Sequence, residues 1–396
     1  AGGVATLALA GAQTFTGNIL TTGNGTGVLT TAGVTTIDGN VGSSTSLDLA
    51  SLTTVANLDV TGNVYVAAIS IADQFSLTGT TDQVVSGTVT HASGVDDDLI
   101  VSAAVRNVTF NSAVSVKDLT LGAGSTTTFD STVASVVTAL NGTSTFTGAV
   151  TLTGAATMAA GTTTTFSSTV GTDSDITGTT TANMTFNGAV TSTGNIAAGV
   201  GSTTAFNSTV SAVNLSNSGA MTLKGAVTLS GTMTTVSGST ITLGSAFKAG
   251  SAAAITAALT SVGTLDQTVN AVTVNVNNQF TTGTVVLFKN TAAVLDADDL
   301  ASFNVTDTAI VDYTAALSST AKAIEITANK RTTAGIATYL GMSTAQSAAL
   351  GQISAAVASG DATASTALDT VLVTGGSTAV NAAEQLNSDA GAAMGA

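Results

Sequence analysis

One hexapeptide recurs along the middle of this chain and limits what the chain can fold into. TFNSAV (109–114), TFDSTV (128–133), TFTGAV (145–150), TFSSTV (165–170), TFNGAV (185–190) and AFNSTV (205–210) are variants of one phrase. Their aromatic residues, Phe110, Phe129, Phe146, Phe166, Phe186 and Phe206, are spaced 19, 17, 20, 20 and 20 residues apart. Leu223 in LKGAV takes the Phe place one unit later, and diluted copies read as TFTGNI (14–19) and QFSLTG (74–79). A fixed period of this length is the signature of stacked repeats.

Within a unit the pattern alternates. In TFTGAVTLTG (145–154), Phe146, Val150 and Leu152 share one face, separated by Thr and Gly. Period two is the strand signal, and Thr and Val favour strands. Gly and Asn mark corners because they tolerate positive φ. A unit of about 20 residues cannot bury its own apolar face and must stack on its neighbours. The expected fold is therefore all-β: a β-solenoid (β-helix) of about 20-residue coils with a stacked internal Phe ladder. A β-sandwich array or a chain of hairpins is the competing architecture, but each period would hold only one hairpin.

Composition agrees. Hydrophobic residues make up 44% and charged residues 8%, with no Pro, Cys or Trp. Each inner strand needs every N–H for pairing, which excludes Pro. Stacked coils place equivalent side chains about 4.8 Å apart, where like charges repel and Thr or Asn ladders are tolerated. TFTGAVTLTGAATMAAGTTTTFSSTV (145–170) thus reads as scaffold without side-chain chemistry.

Four segments follow from the pattern: irregular coils over 1–108, regular Phe-ladder repeats over 109–250, a β region over 251–332, and an Ala-rich helical segment over 333–396. In the third, Val272, Val274 and Val276 alternate with polar residues, and IEITANKR (324–331) reads as a last strand. In the fourth, Ser343-Thr344 and Asp361 are expected helix starts, and Leu350, Ile353 and Val357 have helical spacing. A final helix is expected at about 377–388.

The net charge is −15, from 8 basic and 23 acidic residues. That argues against nucleic acid and anionic lipid, which need a basic patch. No apolar run reaches the roughly 18–20 residues that span a bilayer as a helix. The N-terminal AGGVATLALAGAQ lacks the basic start of a signal peptide, and Ala1 in place of Met leads to the expectation of a processed chain.

Candidate sites are few. Asp96, Asp97 and Asp98 form one carboxylate cluster and Asp296, Asp298 and Asp299 another; Asp173 and Asp175 make a smaller group. Loop carboxylates supply the oxygen ligands Ca²⁺ requires, so calcium is the one cofactor to consider, although no EF-hand loop or nonapeptide array is present. His91 stands close to Asp96–Asp98, but no nucleophile motif accompanies it; a turn histidine beside a solvated acidic loop is the plainer account. Asn24, Asn107, Asn141, Asn183, Asn207, Asn214 and Asn304 open N-x-[ST] triplets, which arise readily in so Thr-rich a chain. Lys330-Arg331 is a processing point or a salt-bridge partner. Neither a catalytic set nor an organic cofactor motif is found, and 140–220 holds two carboxylates and no basic residue, too little for a glycosidase or lyase groove.

The C-terminal text IEITANKRTTAGIATYLGMS…ALDTVLVTGGSTAVNAAEQLNSDAG resembles the junction of bacterial autotransporters (type V secretion), where a solenoid passenger gives way to a helical segment before an outer-membrane barrel. The phrase Ala382-Ala383-Glu384-Gln385-Leu386 carries the likeness, and the TFNGAV/STGNIAAG repeats are similar to those of large rickettsial-type outer-surface passengers. The sequence departs from the pattern in that no barrel follows. The resemblance therefore implies either cleavage near Ala396 or a relative without a barrel. It also implies export to the bacterial outer surface. Two functions fit. The first is a structural protein that self-assembles into a filament, sheath or surface layer through solenoid ends and lateral contacts. The second is a monomeric adhesin binding a cell-surface or host ligand, with 80–100 as the expected binding loop. A polysaccharide-active β-helix enzyme is the remote alternative. The expected partner is thus a homo-oligomer or polymer.

Overall fold

A computed structural model describes residues 5–358, apart from 46–47, 93–96, 104–106, 250, 258–271, 277–281, 292–293, 302 and 309. The chain is a β-solenoid of about 12 coils, closed by a short helical segment. The expected final helix at 377–388 and Asp361 lie outside the described residues.

A regular coil has three strands. In the coil that begins at 143 these are Thr143–Phe146, Val150–Leu152 and Ala156–Met158. Each pairs in parallel with its counterpart one coil before and after. The strands thus form three walls around a core. The second and third walls merge into one large sheet, because Val114–Leu121 and Val133–Leu140 run through the corner between them.

Columns of identical or similar side chains fill the core. In the first wall, Phe110, Phe129, Phe146, Phe166, Phe186 and Phe206 stack with ring centroids 4.8–5.2 Å apart and interplanar angles of 2–15°. All six are buried. Leu223 and Leu243 continue the column. In the second wall, Val114, Val133, Val150, Val170, Val190, Val210 and Val227 are matched coil to coil. Phe146, Val150 and Leu152 all face the core, as the alternation predicts.

The two diluted Phe motifs occupy a different place from the one expected. Phe75 is matched to Leu58 and Leu99, and Phe15 to Ile37, all in the third wall. Here the Phe-ladder position is taken by Ile19, Val41, Val64 and Val85, joined by parallel bridges, and Val85 is matched to Phe110. The early coils are a few residues longer and irregular, so the hexapeptide likeness misassigned the column.

The outward residues of the first wall form a second pair of columns. Strand positions one and three hold Thr126 and Thr128, Thr143 and Thr145, and Thr163 and Thr165 in successive coils. Asn183/Thr185, Thr203/Ala205, Ala220/Thr222 and Thr240/Thr242 follow in register. Asn107/Thr109 precedes them.

The corners are tight. Two residues after Phe129, Phe146, Phe166, Phe186, Phe206 and Leu223 the chain alternates Ser and Gly: Ser131, Gly148, Ser168, Gly188, Ser208 and Gly225. A Cβ at Gly148, Gly188 or Gly225 would lie 2.3–2.4 Å from the backbone of Ser131, Ser168 or Ser208. At the corner before the first wall, Gly124, Gly161, Gly201 and Gly238 have φ of +68 to +87°. Thr181 fills the equivalent place at φ 60°. A β-branched residue there is strained. Thr181→Gly is expected to stabilise the protein by up to about 1 kcal/mol, part of the gain being lost to the flexibility of the unfolded glycine. A urea unfolding midpoint unchanged or lowered by the substitution would contradict this.

Asn side chains also stack. Asp175 Oδ1 accepts from Asn195, Asn195 Oδ1 from Asn214, and Asn214 Oδ1 from Thr232, at 2.6–3.0 Å. Asn207 donates to Asn187 in the same manner. Asn207 and Asn214 are therefore ladder or corner residues, and Asp175 is a ladder member.

The stack ends by reversing direction. Gly283–Asn290 still runs parallel to Ile255–Ala257, but Ala323–Lys330 pairs antiparallel to it, and Val311–Leu317 antiparallel in turn to Ala323–Lys330. Two helices follow. Thr332 caps Thr333–Tyr339 through its side chain. Ser343 and Gln346 exchange reciprocal bonds at the start of Thr344–Ala358, a capping box. Ile336, Ala337 and Leu350 pack with Ile310, which also touches the solenoid core. Arg331 ties this end together: it bonds Asp307 (2.6 Å), approaches Asp312 (3.6 Å) and lies over the ring of Tyr339. Of the two expectations for Lys330-Arg331, the salt bridge is what the structure contains at Arg331.

Candidate functional site: a one-sided strand edge and an acidic corner

Apart from Asp96, each expected site residue has a definite place. The six Phe residues are core, buried from both sides by their neighbours. Asp296 caps a short helix, Ala297–Ala301, that the sequence pattern did not suggest. Its Oδ1 accepts from the N–H groups of Asp298 (3.0 Å) and Asp299 (3.1 Å), and its own N–H donates to Asp299 Oδ2 (2.9 Å). Asp299 is buried, and burial raises its pKa above the ordinary carboxylate value. The D-A-D-D run thus serves as a helix start. The signal for it was present: an Asp followed three residues later by an acid before apolar Leu300.

The other cluster forms an acidic corner between coils. Asp96 lies outside the described residues. Asp97 is fully buried; its Oδ2 accepts from the Lys117 N–H at 3.2 Å, and its Oδ1 is 3.7 Å from His91 Nδ1. Asp98 is matched in register to Asp118 in the next coil and to Gln74 in the previous one. Sequence reading missed Asp118 because it lies twenty residues away. Burial raises the pKa of both Asp97 and Asp98, and Asp118 beside Asp98 adds to the rise. Among the described residues, no three carboxylate or imidazole groups converge to hold a metal ion. His91 is about half exposed and approaches Asp97 at more than hydrogen-bond distance.

The sign of the pH effect follows. Raised folded-state pKa values favour the protonated form, so these groups stabilise the fold fully below the unfolded carboxylate value. That contribution is lost as pH rises through the folded values. Acidification from about pH 7 to about pH 5 is therefore expected to protect strands Asp98–Val101 and Val114–Leu121 more strongly against hydrogen exchange, after correction for intrinsic rates. Equal protection at both values would remove the acidic corner as a pH-sensitive element.

The first coil has the opposite character. Ala5–Leu9 pairs only with Gly27–Thr31, and Gln13–Thr16 only with Thr35–Asp38, among the described residues. Ala5, Thr6, Leu7 and Ala8 are exposed. Leu7, Leu20, Val34 and Val55 are each 42–56% exposed and cluster in the first coils. A groove of about 230 Å³ opens between Leu7, Ile19, Leu20, Val28 and Leu49. An apolar edge with unpaired N–H and C=O groups is a template for another strand.

No protein-family model, curated protein or solved structure matches this chain.

Proposed function

We propose that this is a secreted bacterial cell-surface structural protein whose coils add to one another end to end. The observation that carries this reading is the edge at Ala5–Leu9 and Gln13–Thr16, one-sided among the described residues and apolar along Ala5–Leu9. The far end of the same sheet offers Val311–Leu317, which among the described residues pairs on one side only and runs in the same direction as the inner strands, being antiparallel to an antiparallel neighbour. Parallel addition of one copy's first coil to another's last strand is therefore geometrically consistent, and a head-to-tail contact that does not close makes a filament. Low charge on the walls supports lateral contacts as well. The surface location rests on the autotransporter-like junction and on the Cys-free, Thr-rich composition.

The adhesin reading draws on one feature. Coils near 20 residues give way to 25 between Val85 and Phe110, 33 between Thr242 and Asn275 and 31 between Val272 and Phe303. The test is electron microscopy and sedimentation of the 396-residue chain, with and without Ca²⁺. Rods joined end to end, and single rods for Leu7→Lys, are expected. Single rods at all concentrations for the unaltered chain would overturn assembly and move attention to the long coils.

A further inference from the structure

The outward face of the first wall carries a regular array that the end-to-end reading does not use. Two residues per coil face outward, at strand positions one and three, and from Thr126 to Thr242 they are Thr except at Asn183, Ala205 and Ala220. None is charged, in a chain of net charge −15. Position one is exposed and position three half-exposed in most coils. These Thr hydroxyls make no hydrogen bond to other groups among the described residues. The second and third walls present only one outward residue per three-residue strand.

The array is regular. Its repeat along the stack is that of the Phe column behind it, whose rings stack 4.8–5.2 Å apart and within 2–15° of parallel from coil to coil. Along the strand, alternate residues are about 6.7 Å apart.

Few partners present a neutral lattice of matching size. Tetrahedral water with O–H···O bonds of about 2.75 Å has next-nearest oxygens about 4.5 Å apart and an axial layer repeat of about 7.3 Å. The stack repeat is longer than the first by roughly 7–16%, and the strand repeat shorter than the second by roughly 8%. Each Thr offers a hydroxyl that joins such a lattice and a methyl that orders water beside it. The charge also matches: an uncharged face against an uncharged lattice leaves no buried ion to compensate. Preorganisation lowers the ordering cost of binding. We propose that the Thr face of the first wall binds ordered water, as the surface of ice.

The experiment is incorporation of the full chain into slowly growing ice, alongside inhibition of ice recrystallisation. The unaltered chain is expected to enter the ice. Thr145→Lys and Thr165→Lys, at the centre of the face, are expected to be excluded while circular dichroism stays unchanged. Thr151→Lys and Thr191→Lys, exposed on the second wall, are expected to behave like the unaltered chain. Exclusion of the unaltered chain from ice overturns the proposal. So does equal loss in both pairs, or retention on a crystalline polysaccharide without entry into ice. So does dimerisation through this face, seen as a sedimentation change that Thr145→Lys abolishes. End-to-end assembly is read separately, by Leu7→Lys, which leaves this face intact.

Discussion

Phe166→Ala is expected to lower stability by about 3–5 kcal/mol, the range for deleting a buried aromatic side chain. Phe166 lies at the centre of the ladder, stacked 5.0 Å from Phe146 and 4.9 Å from Phe186, and is 1% exposed. The substitution removes transfer free energy, two stacked contacts and the support of both neighbouring rings. The cavity cannot collapse easily. Closing it would bring coils together that the backbone ladders hold at a set spacing. In a stack whose units contact only their neighbours, the loss falls on one interface, so the transition should broaden or split into two as well as shift. Urea unfolding followed by far-ultraviolet circular dichroism measures both. A loss under about 1.5 kcal/mol would mean that the ladder contributes less than its burial implies.

Gly188→Ala is expected to destabilise by about 2–3 kcal/mol, the upper range for overpacking. Its Cβ would meet the carbonyl carbon and oxygen of Ser168 at 2.3 and 2.4 Å, and backbone in a paired coil has nowhere to go. No unusual φ is involved; the whole effect is close approach between coils. Gly171 provides the comparison. It has open space around the position of a Cβ, so Gly171→Ala should gain about 0.4–1 kcal/mol by restricting the unfolded chain. Opposite signs from two glycines seventeen residues apart would establish that corners, and not walls, set the packing limit. The same sign for both would refute it.

These two effects also explain why much of the fold was legible in advance. Stacking places each residue on its counterpart one coil away, so a period in the text becomes a column in space. Phe110 through Phe206 are adjacent for that reason. The Asn ladder from Asn195 to Asn214 has the same origin. The helix start at Ser343-Thr344 was legible because capping is local. The acidic sites were less so. Asp296, Asp298 and Asp299 read as an ion cluster, but the carboxylates of Asp296 and Asp299 accept from backbone N–H groups at the start of a helix, the Asp298 N–H among them. Asp97 and Asp98 gained their environment from Asp118 and Lys117, which no local pattern links to them.

By itself, then, the sequence determined the stacked all-β architecture, the coil length of the regular region and the identity of its main column, because recurrence and alternation are local properties of the text. Only the tertiary structure decided three further points. It placed Phe15 and Phe75 in the third wall and gave the ladder position to Ile19, Val41, Val64 and Val85. It turned the last strands antiparallel under the helices that Arg331 joins to them. It set Asp98 against Asp118. Each depends on how many residues the intervening corners consume, since a change of one residue in a corner moves every later side chain to another column or another face.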